Sequence, residues 1–325
     1  MSSVTLSDKG AIKGINWNKA EDPFDIEVWS KVTQNFWLPE KIALSNDLKS
    51  WSTMSEQEQW MTSRVFTGLT VLDTLQGRYG MVSLLDAAQT QHEEAVLANF
   101  IFMEQVHAKS YSSIFSTLLS TEGIDNAFKW SEENEHLQAK AQLILEHYEK
   151  DDPDKRKVAS VMLESFLFYS GFYAPMHWSS KAKLTNTADL IKLIIRDEAI
   201  HGMYVGHLLA KSLSKQSQDR QREVRHFAHD LFNELFEIEK AFTAELYDDI
   251  GLTADVRRFL KYNANKAFQN MRYDAPFSRE ETNVNPAIIA AITDTSGSNH
   301  DFFSGAGDSY QMIVSEEMAD EDWDF

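Results

Sequence analysis

The chain carries the spacing Glu-x-x-His twice, at Glu104/His107 and at Glu198/His201, and this repetition limits its folding more than any other feature. An α-helix turns about 100° per residue with a rise of about 1.5 Å. Each glutamate therefore shares a helix face with its histidine, about 60° apart in direction. Tyr111 returns to within about 20° of the direction of Glu104, one turn beyond His107. A single copy of the spacing is a weak signal, because Glu and His are common on solvated helix faces. The second copy lies in L-I-I-R-D-E-A-I-H-G, where a bare carboxylate is costly unless paired or ligated.

Two further acids interrupt apolar helical runs. Asp73 sits in V-F-T-G-L-T-V-L-D-T-L-Q-G, and Glu164 in V-A-S-V-M-L-E-S-F-L-F-Y-S-G-F. Asp73 precedes Glu104 by 31 residues, and Glu164 precedes Glu198 by 34. Those separations suit helices of about 20–28 residues joined by short loops. Two Glu-x-x-His helices with one carboxylate from each of two more, all facing inward, are the arrangement of ferritin-like di-metal bundles. The expected fold is all-α, a ferritin-like helical bundle with a di-metal carboxylate site in its core. Asp73, Glu104, His107, Glu164, Glu198 and His201 are the expected metal residues. Their four carboxylates balance two divalent ions, and oxygen-rich ligation with one imidazole per ion suits iron or manganese. Without cations the same cluster should take up protons or draw in water.

Composition narrows the function classes. The 325-residue chain has a net charge of −19 and no cysteine. An acidic balance opposes nucleic-acid and anionic-membrane binding, both of which need a basic face. Without cysteine there are no disulfides, thiolate metal sites or thiol chemistry in this chain. No uncharged apolar run reaches the length of about 18 residues that suggests a membrane span, and the N-terminus lacks the apolar core of a signal peptide. A cytoplasmic location is expected.

In chain order, residues 1–22 read as a polar N-terminal extension, 23–293 as the helical domain and 294–325 as a mobile tail. Asp25 to Asn35 reads as a short helix, and Pro39 can open another. Ser55 with Glu58, then Thr90 with Glu93, form two S/T-x-x-E capping boxes. The first launches a helix to about Leu85 that carries Asp73. The second launches the helix of Glu104, His107 and Tyr111. A helix is expected over about Ser131 to Tyr148, then one capped by Asp152 and started by Pro153 that carries Glu164. Gly171 and Pro175 should bend or widen it. Thr187 or Asn186 should cap the helix of Glu198 and His201, which runs to about Leu213. Helices over Gln218 to Tyr247 and Ala254 to Ala267 follow.

Phe168 and Phe172 follow Glu164 at i+4 and i+8, and Ile194 precedes Glu198 by four. Aromatics at helical spacing are usually core; here they could also keep water from an oxidised Tyr111. Beyond Asp294 the chain is rich in Gly, Ser and acids, too poor in aliphatics to order itself. It nevertheless holds Tyr310, Trp323 and Phe325, which suit anchors for a partner.

Together the stretches L-D-T-L-Q-G-R, M-E-Q-V-H-A-K-S-Y, L-E-S-F-L-F-Y-S-G-F and I-I-R-D-E-A-I-H-G resemble the small, radical-generating subunit of class I ribonucleotide reductase, closest in wording to class Ib. The likeness runs from about Trp37 to the C-terminus. It implies that the six residues bind two Fe or two Mn ions, and that Tyr111 becomes a stable tyrosyl radical pocketed by Phe168, Phe172 and Ile194. It implies that Trp37 and Asp197 carry the radical outward by way of His107 and its metal. Tyr310 would relay it to the large (alpha) subunit, where the final D-E-D-W-D-F docks. The resemblance also implies a homodimer and, where manganese is used, a flavodoxin-like activating protein. Two other readings of the residues stay open: a ferritin-like oxidase or monooxygenase acting on an external substrate, and a non-catalytic iron-storage protein.

Overall fold

A computed structural model describes residues 13–293. The expectations for residues 1–12 and for the tail 294–325, Tyr310 and the terminal aromatics included, lie outside the described residues.

Among the described residues every regular element is helical. In order they are α1 (Pro23–Gln34), α2 (Leu48–Trp51), α3 (Glu56–Leu75), α4 (Met81–Leu85), α5 (Gln91–Leu118), α6 (Thr121–Glu133) and α7 (Glu135–Glu149). There follow α8 (Pro153–Met162), α9 (Tyr169–Ser180), α10 (Thr185–Leu213), α11 (Gln218–Tyr247), α12 (Thr253–Asn270) and α13 (Pro286–Thr293). Widened π turns at Gln76–Gly80 and Leu163–Leu167 join α3 to α4 and α8 to α9. The central bundle packs α3 on α5, α5 on α10, and α10 on α8 and α9.

The helix starts show where local chemistry suffices. At Ser55 the box closes: its hydroxyl accepts from Glu58 N at 3.2 Å, and Glu58 accepts from Ser55 N at 2.8 Å. At Thr90 only half forms. Thr90 accepts from Glu93 N, but the Glu93 carboxylate turns to Gln89 N and to Lys211. Asp152 caps α8 through Lys155 N with Pro153 in its first turn, as the sequence indicates.

Elsewhere the structure corrects the sequence reading. Neither Asn186 nor Thr187 caps α10. Leu184 precedes it in the left-handed region (φ 49°), and the buried carboxylate of Asp47, about 140 residues earlier, accepts from Asn186 N and Thr187 N at 3.2 and 2.6 Å. The expected Ser131–Tyr148 helix is two helices broken at Asn134, whose side chain caps α7. The widening near Gly171 and Pro175 occurs earlier instead, around Glu164 itself. Gly171 serves close packing, since a Cβ there would lie 2.7 Å from the Leu69 side chain. Helix α13, absent from the sequence reading, buries Ile288 and Ile292 and packs on α9.

Candidate metal centre

Helix α3 supplies Asp73, α5 supplies Glu104 and His107, the Leu163–Leu167 turn supplies Glu164, and α10 supplies Glu198 and His201. All six are buried to 1% exposure or less. Their ligand atoms form two sets, each within 4.8 Å: Asp73, Glu104, His107, Glu198 and Glu104, Glu164, Glu198, His201. Glu104 and Glu198 belong to both sets, so they lie between two halves, each completed by one histidine and one further acid. His107 Nδ1 is 2.8 Å from Glu198 Oε1 and 3.4 Å from Asp73 Oδ1. His201 Nδ1 is 3.0 Å from Glu104 Oε1 and from Glu198 Oε2, and 3.7 Å from Glu164 Oε2.

These atoms fit cations better than they fit one another. Both Asp73 oxygens, both Glu104 oxygens, Glu164 Oε2, Glu198 Oε1 and His107 Nδ1 are buried without a hydrogen bond of acceptable direction, even where the distance is short. An orphaned buried polar atom costs roughly 1–3 kcal/mol, so so many around one space need a shared partner. Burial and the neighbouring Glu164 charge push Glu104 up to about 8. Burial and the charges of Glu104 and Glu164 raise Glu198 well above the carboxylate range. Burial alone would lower both histidines, but the charge of Glu198 holds each well above its ordinary value. Glu164 goes the other way: burial raises it, but bonds from Glu198, His201 and Gln76 leave it below its ordinary value. A dinuclear carboxylate/histidine metal-binding site is present.

The two histidines differ behind the site. The His107 ring stacks on Trp37 with centroids 5.9 Å apart and 17° between planes. Its Nε2 is 3.3 Å from Asp197 Oδ2, which also accepts from Trp37 Nε1 at 2.7 Å. Burial would raise Asp197, but His107 and Arg196 hold it below its usual value. Arg196 reaches Asp197 Oδ1 at 3.2 Å and the carbonyl of Asn35 at 2.7 Å. Sequence reasoning missed Arg196, although it stands beside Asp197 in the quoted motif.

Tyr111 is wholly buried, and its hydroxyl lacks a partner in hydrogen-bond geometry. Burial, then the charges of Asp73, Glu198 and Glu104, push its phenol well above the ordinary value. Phe66 lies beside it at 6.2 Å between centroids, a ring the spacing argument did not single out. Phe168 and Phe172 stack on each other at 5.7 Å, and both are fully buried, as is Ile194. No helix of the described residues is long and apolar enough to cross a membrane.

Comparison with known proteins agrees with this centre. Residues 14–286 match the family described as "Ribonucleotide reductase, small chain". The chain is 57% identical over 314 residues to the ribonucleoside-diphosphate reductase subunit beta of Mycobacterium leprae, covering 97% of each. It is also 57% identical to ribonucleoside-diphosphate reductase 2 subunit beta of Escherichia coli, over 97% of this chain and 98% of that one. Among solved structures, the dimanganese(II)-NrdF of Streptococcus sanguinis superposes with a TM-score of 0.85 at 46% identity, covering 87% of this chain and 100% of that one. With two joined four-residue sets, a buried tyrosine and a match over most of its length, the chain belongs to the ribonucleotide reductase small-chain family, as a radical-generating subunit of the NrdF type.

Proposed function

We propose that Asp73, Glu104, His107, Glu164, Glu198 and His201 hold two iron or two manganese ions, and that Tyr111 carries the radical used by a large alpha subunit to reduce ribonucleotides. The observation that carries this reading is the convergence of six buried ligands, with so many unsatisfied atoms, beside a phenol without a hydrogen bond. When bound, the metal pair supplies the oxidising power. The protein's part is to hold the phenol neutral until it is oxidised. Burial and three nearby carboxylates disfavour a tyrosinate, so Tyr111 gives up its electron and proton together. The proton passes to the carboxylates of the centre, Asp73 among them, whose charges act on the hydroxyl. Phe66, Phe168, Phe172 and Ile194 keep water away.

For export we assign Trp37 and Asp197. The indole N–H already donates to Asp197, so an oxidised Trp37 can release its proton along an existing hydrogen bond. Arg196 holds the carboxylate in place. Tyr310 and the acidic, aromatic terminus are assigned to relay and docking on the large subunit, with residues 294–325 acting as a separate docking segment. Acting as a cytoplasmic homodimer belongs to the same reading, as does activation by a flavodoxin-like protein where the ions are manganese. The solved S. sanguinis relative holds manganese, which favours that metal here. Loading with Mn(II) or Fe(II), oxidation and electron paramagnetic resonance test the core of it. The expected result is two ions per chain and a tyrosyl signal that Tyr111→Phe abolishes; saturation at one ion would show the ligand set to be misread.

A further inference from the structure

We propose that Gln76 is a positioning residue for the Glu164–His201 half of the centre, acting by holding one oxygen of Glu164. This rests on the reading of Glu164 as a metal ligand. Gln76 is fully buried at the start of the first widened turn, and Glu164 lies within the second. The amide Nε2 of Gln76 donates to Ser160 Oγ at 2.8 Å and to Glu164 Oε1 at 2.5 Å. Its Oε1 accepts from the buried Tyr148 hydroxyl at 2.6 Å. Both amide hydrogens and the carbonyl are thereby used.

The amide can face only one way. A phenol has a hydrogen to give and a carboxylate has none, so a reversed amide would set two acceptor oxygens against each other at Glu164. The pair also packs closely on the turn. A Cβ at Gly80 would fall 2.1 Å from Gln76 Oε1 and 2.8 Å from Tyr148 Cζ, so this packing needs glycine there.

The consequence is an unequal pair of terminal acids. Asp73 has both oxygens without a partner, whereas Glu164 has only Oε2 free, 3.7 Å from His201 Nδ1. Gln76 therefore engages one oxygen of Glu164 and holds the carboxylate with its unpartnered Oε2 toward His201. Outer hydrogen-bond partners of ligands typically control affinity by about 10- to 100-fold. Here that control should fall on one half, since the side-chain bonds of this network reach Glu164, and Gln76 meets Asp73 only through its backbone N–H on the Asp73 carbonyl.

The test is Mn(II) titration of the metal-free full-length chain, counting free ion by paramagnetic resonance and resolving the two binding steps. Gln76→Leu should weaken one step by about 10- to 100-fold and leave the other unchanged. Tyr148→Phe, which keeps Gln76 but frees its orientation, should weaken the same step less, and it carries the test if the leucine variant does not fold. A packing defect would move the thermal midpoint of the metal-free chain and both steps alike. Two unchanged steps in both variants, or two steps reduced by one common factor, would overturn the proposal. A parent chain that takes fewer than two ions would overturn the ligand reading too; a parent that takes two with unaffected variants defeats Gln76 alone.

Discussion

The two Glu-x-x-His helices present the same motif to the same site, yet their histidines meet different surroundings. Behind His107 stand a stacked indole, a carboxylate and an arginine, hydrogen-bonded in sequence. Behind His201 stands the Phe100 ring, 4.1 Å away between centroids, and its Nε2 has no hydrogen-bond partner among the described residues. Polar support on that side enters through Glu164 instead, by way of Gln76. One half is thus backed by an indole, a carboxylate and an arginine in hydrogen-bond contact, and the other by a phenyl ring and the Gln76 amide. On the proposed reading, what lies behind each histidine decides whether charge can leave.

The largest effects should come from breaking the His107 side. Trp37→Phe keeps an aromatic ring against His107 but loses the donor to Asp197. Turnover with the large subunit should fall to background, while two ions and the Tyr111 signal are retained, as read by metal analysis and paramagnetic resonance. Truncation after Thr293 should give the same pattern for a different reason, removing Tyr310 and the terminal aromatics but no ligand. The cut belongs there and not earlier, because Ile288 and Ile292 of α13 are buried. Full reductase activity in the truncated chain would show that the tail neither docks nor relays.

Next in size is loss of a residue shared by both halves. Glu104→Ala should lower binding below two ions per chain, and His201→Ala should spare the half built on Asp73 and His107. Equal loss in both variants would show that the halves are not separable. Metal binding favours the folded state, so the melting temperature of each loaded variant should fall as well.

On the His201 side effects should be smaller. Phe100→Leu should cost about 1 kcal/mol of stability by denaturant titration, on the scale of one aromatic contact, with turnover near that of the parent. A collapse of turnover there would mean that the His201 side also conducts.

The smallest expected effect is one of pH, at the far end of α10. Asp22 caps α1 through Phe24 N and accepts from His207 at 2.8 Å, with Lys211 at 3.1 Å. Burial raises its carboxyl, but the bonds from His207 and Lys211 outweigh that and leave it below its ordinary value. The folded chain thus holds the Asp22 proton less readily than the unfolded chain does. Its contribution is complete above about pH 4 and is lost as pH falls through the lower, folded value. Asp22→Asn keeps a capping oxygen while removing the charge, so it should flatten that part of the acid limb and cost under about 1 kcal/mol at neutral pH.

Much of the centre was legible in the sequence because ligands on one helix obey its period. Glu104, His107 and Tyr111 lie on one face by spacing alone, and Asp73 and Glu164 stand out as acids in apolar runs. The same reasoning could not find Phe66, which meets Tyr111 from another helix, or Arg196, whose role depends on Asn35. It placed the widening of the Glu164 helix at glycine and proline, the usual local causes. The widened turns instead surround Gln76 and Glu164, which hydrogen-bond to each other across the core.

Helix period, capping residues and the burial cost of charge act between near neighbours in the chain, and they determined the all-α class, most helix starts and the six acid and histidine side chains that converge. The cap on α10 had to wait for the tertiary structure, because its acceptor is Asp47 and not a residue of the helix itself. The unequal surroundings of His107 and His201 had to wait for the same reason. Trp37 and Asp197 are 160 positions apart, and Gln76 and Glu164 are 88 apart. A hydrogen bond needs its atoms within about 3 Å in the right direction, and over such separations only the packing of the helices can bring them there.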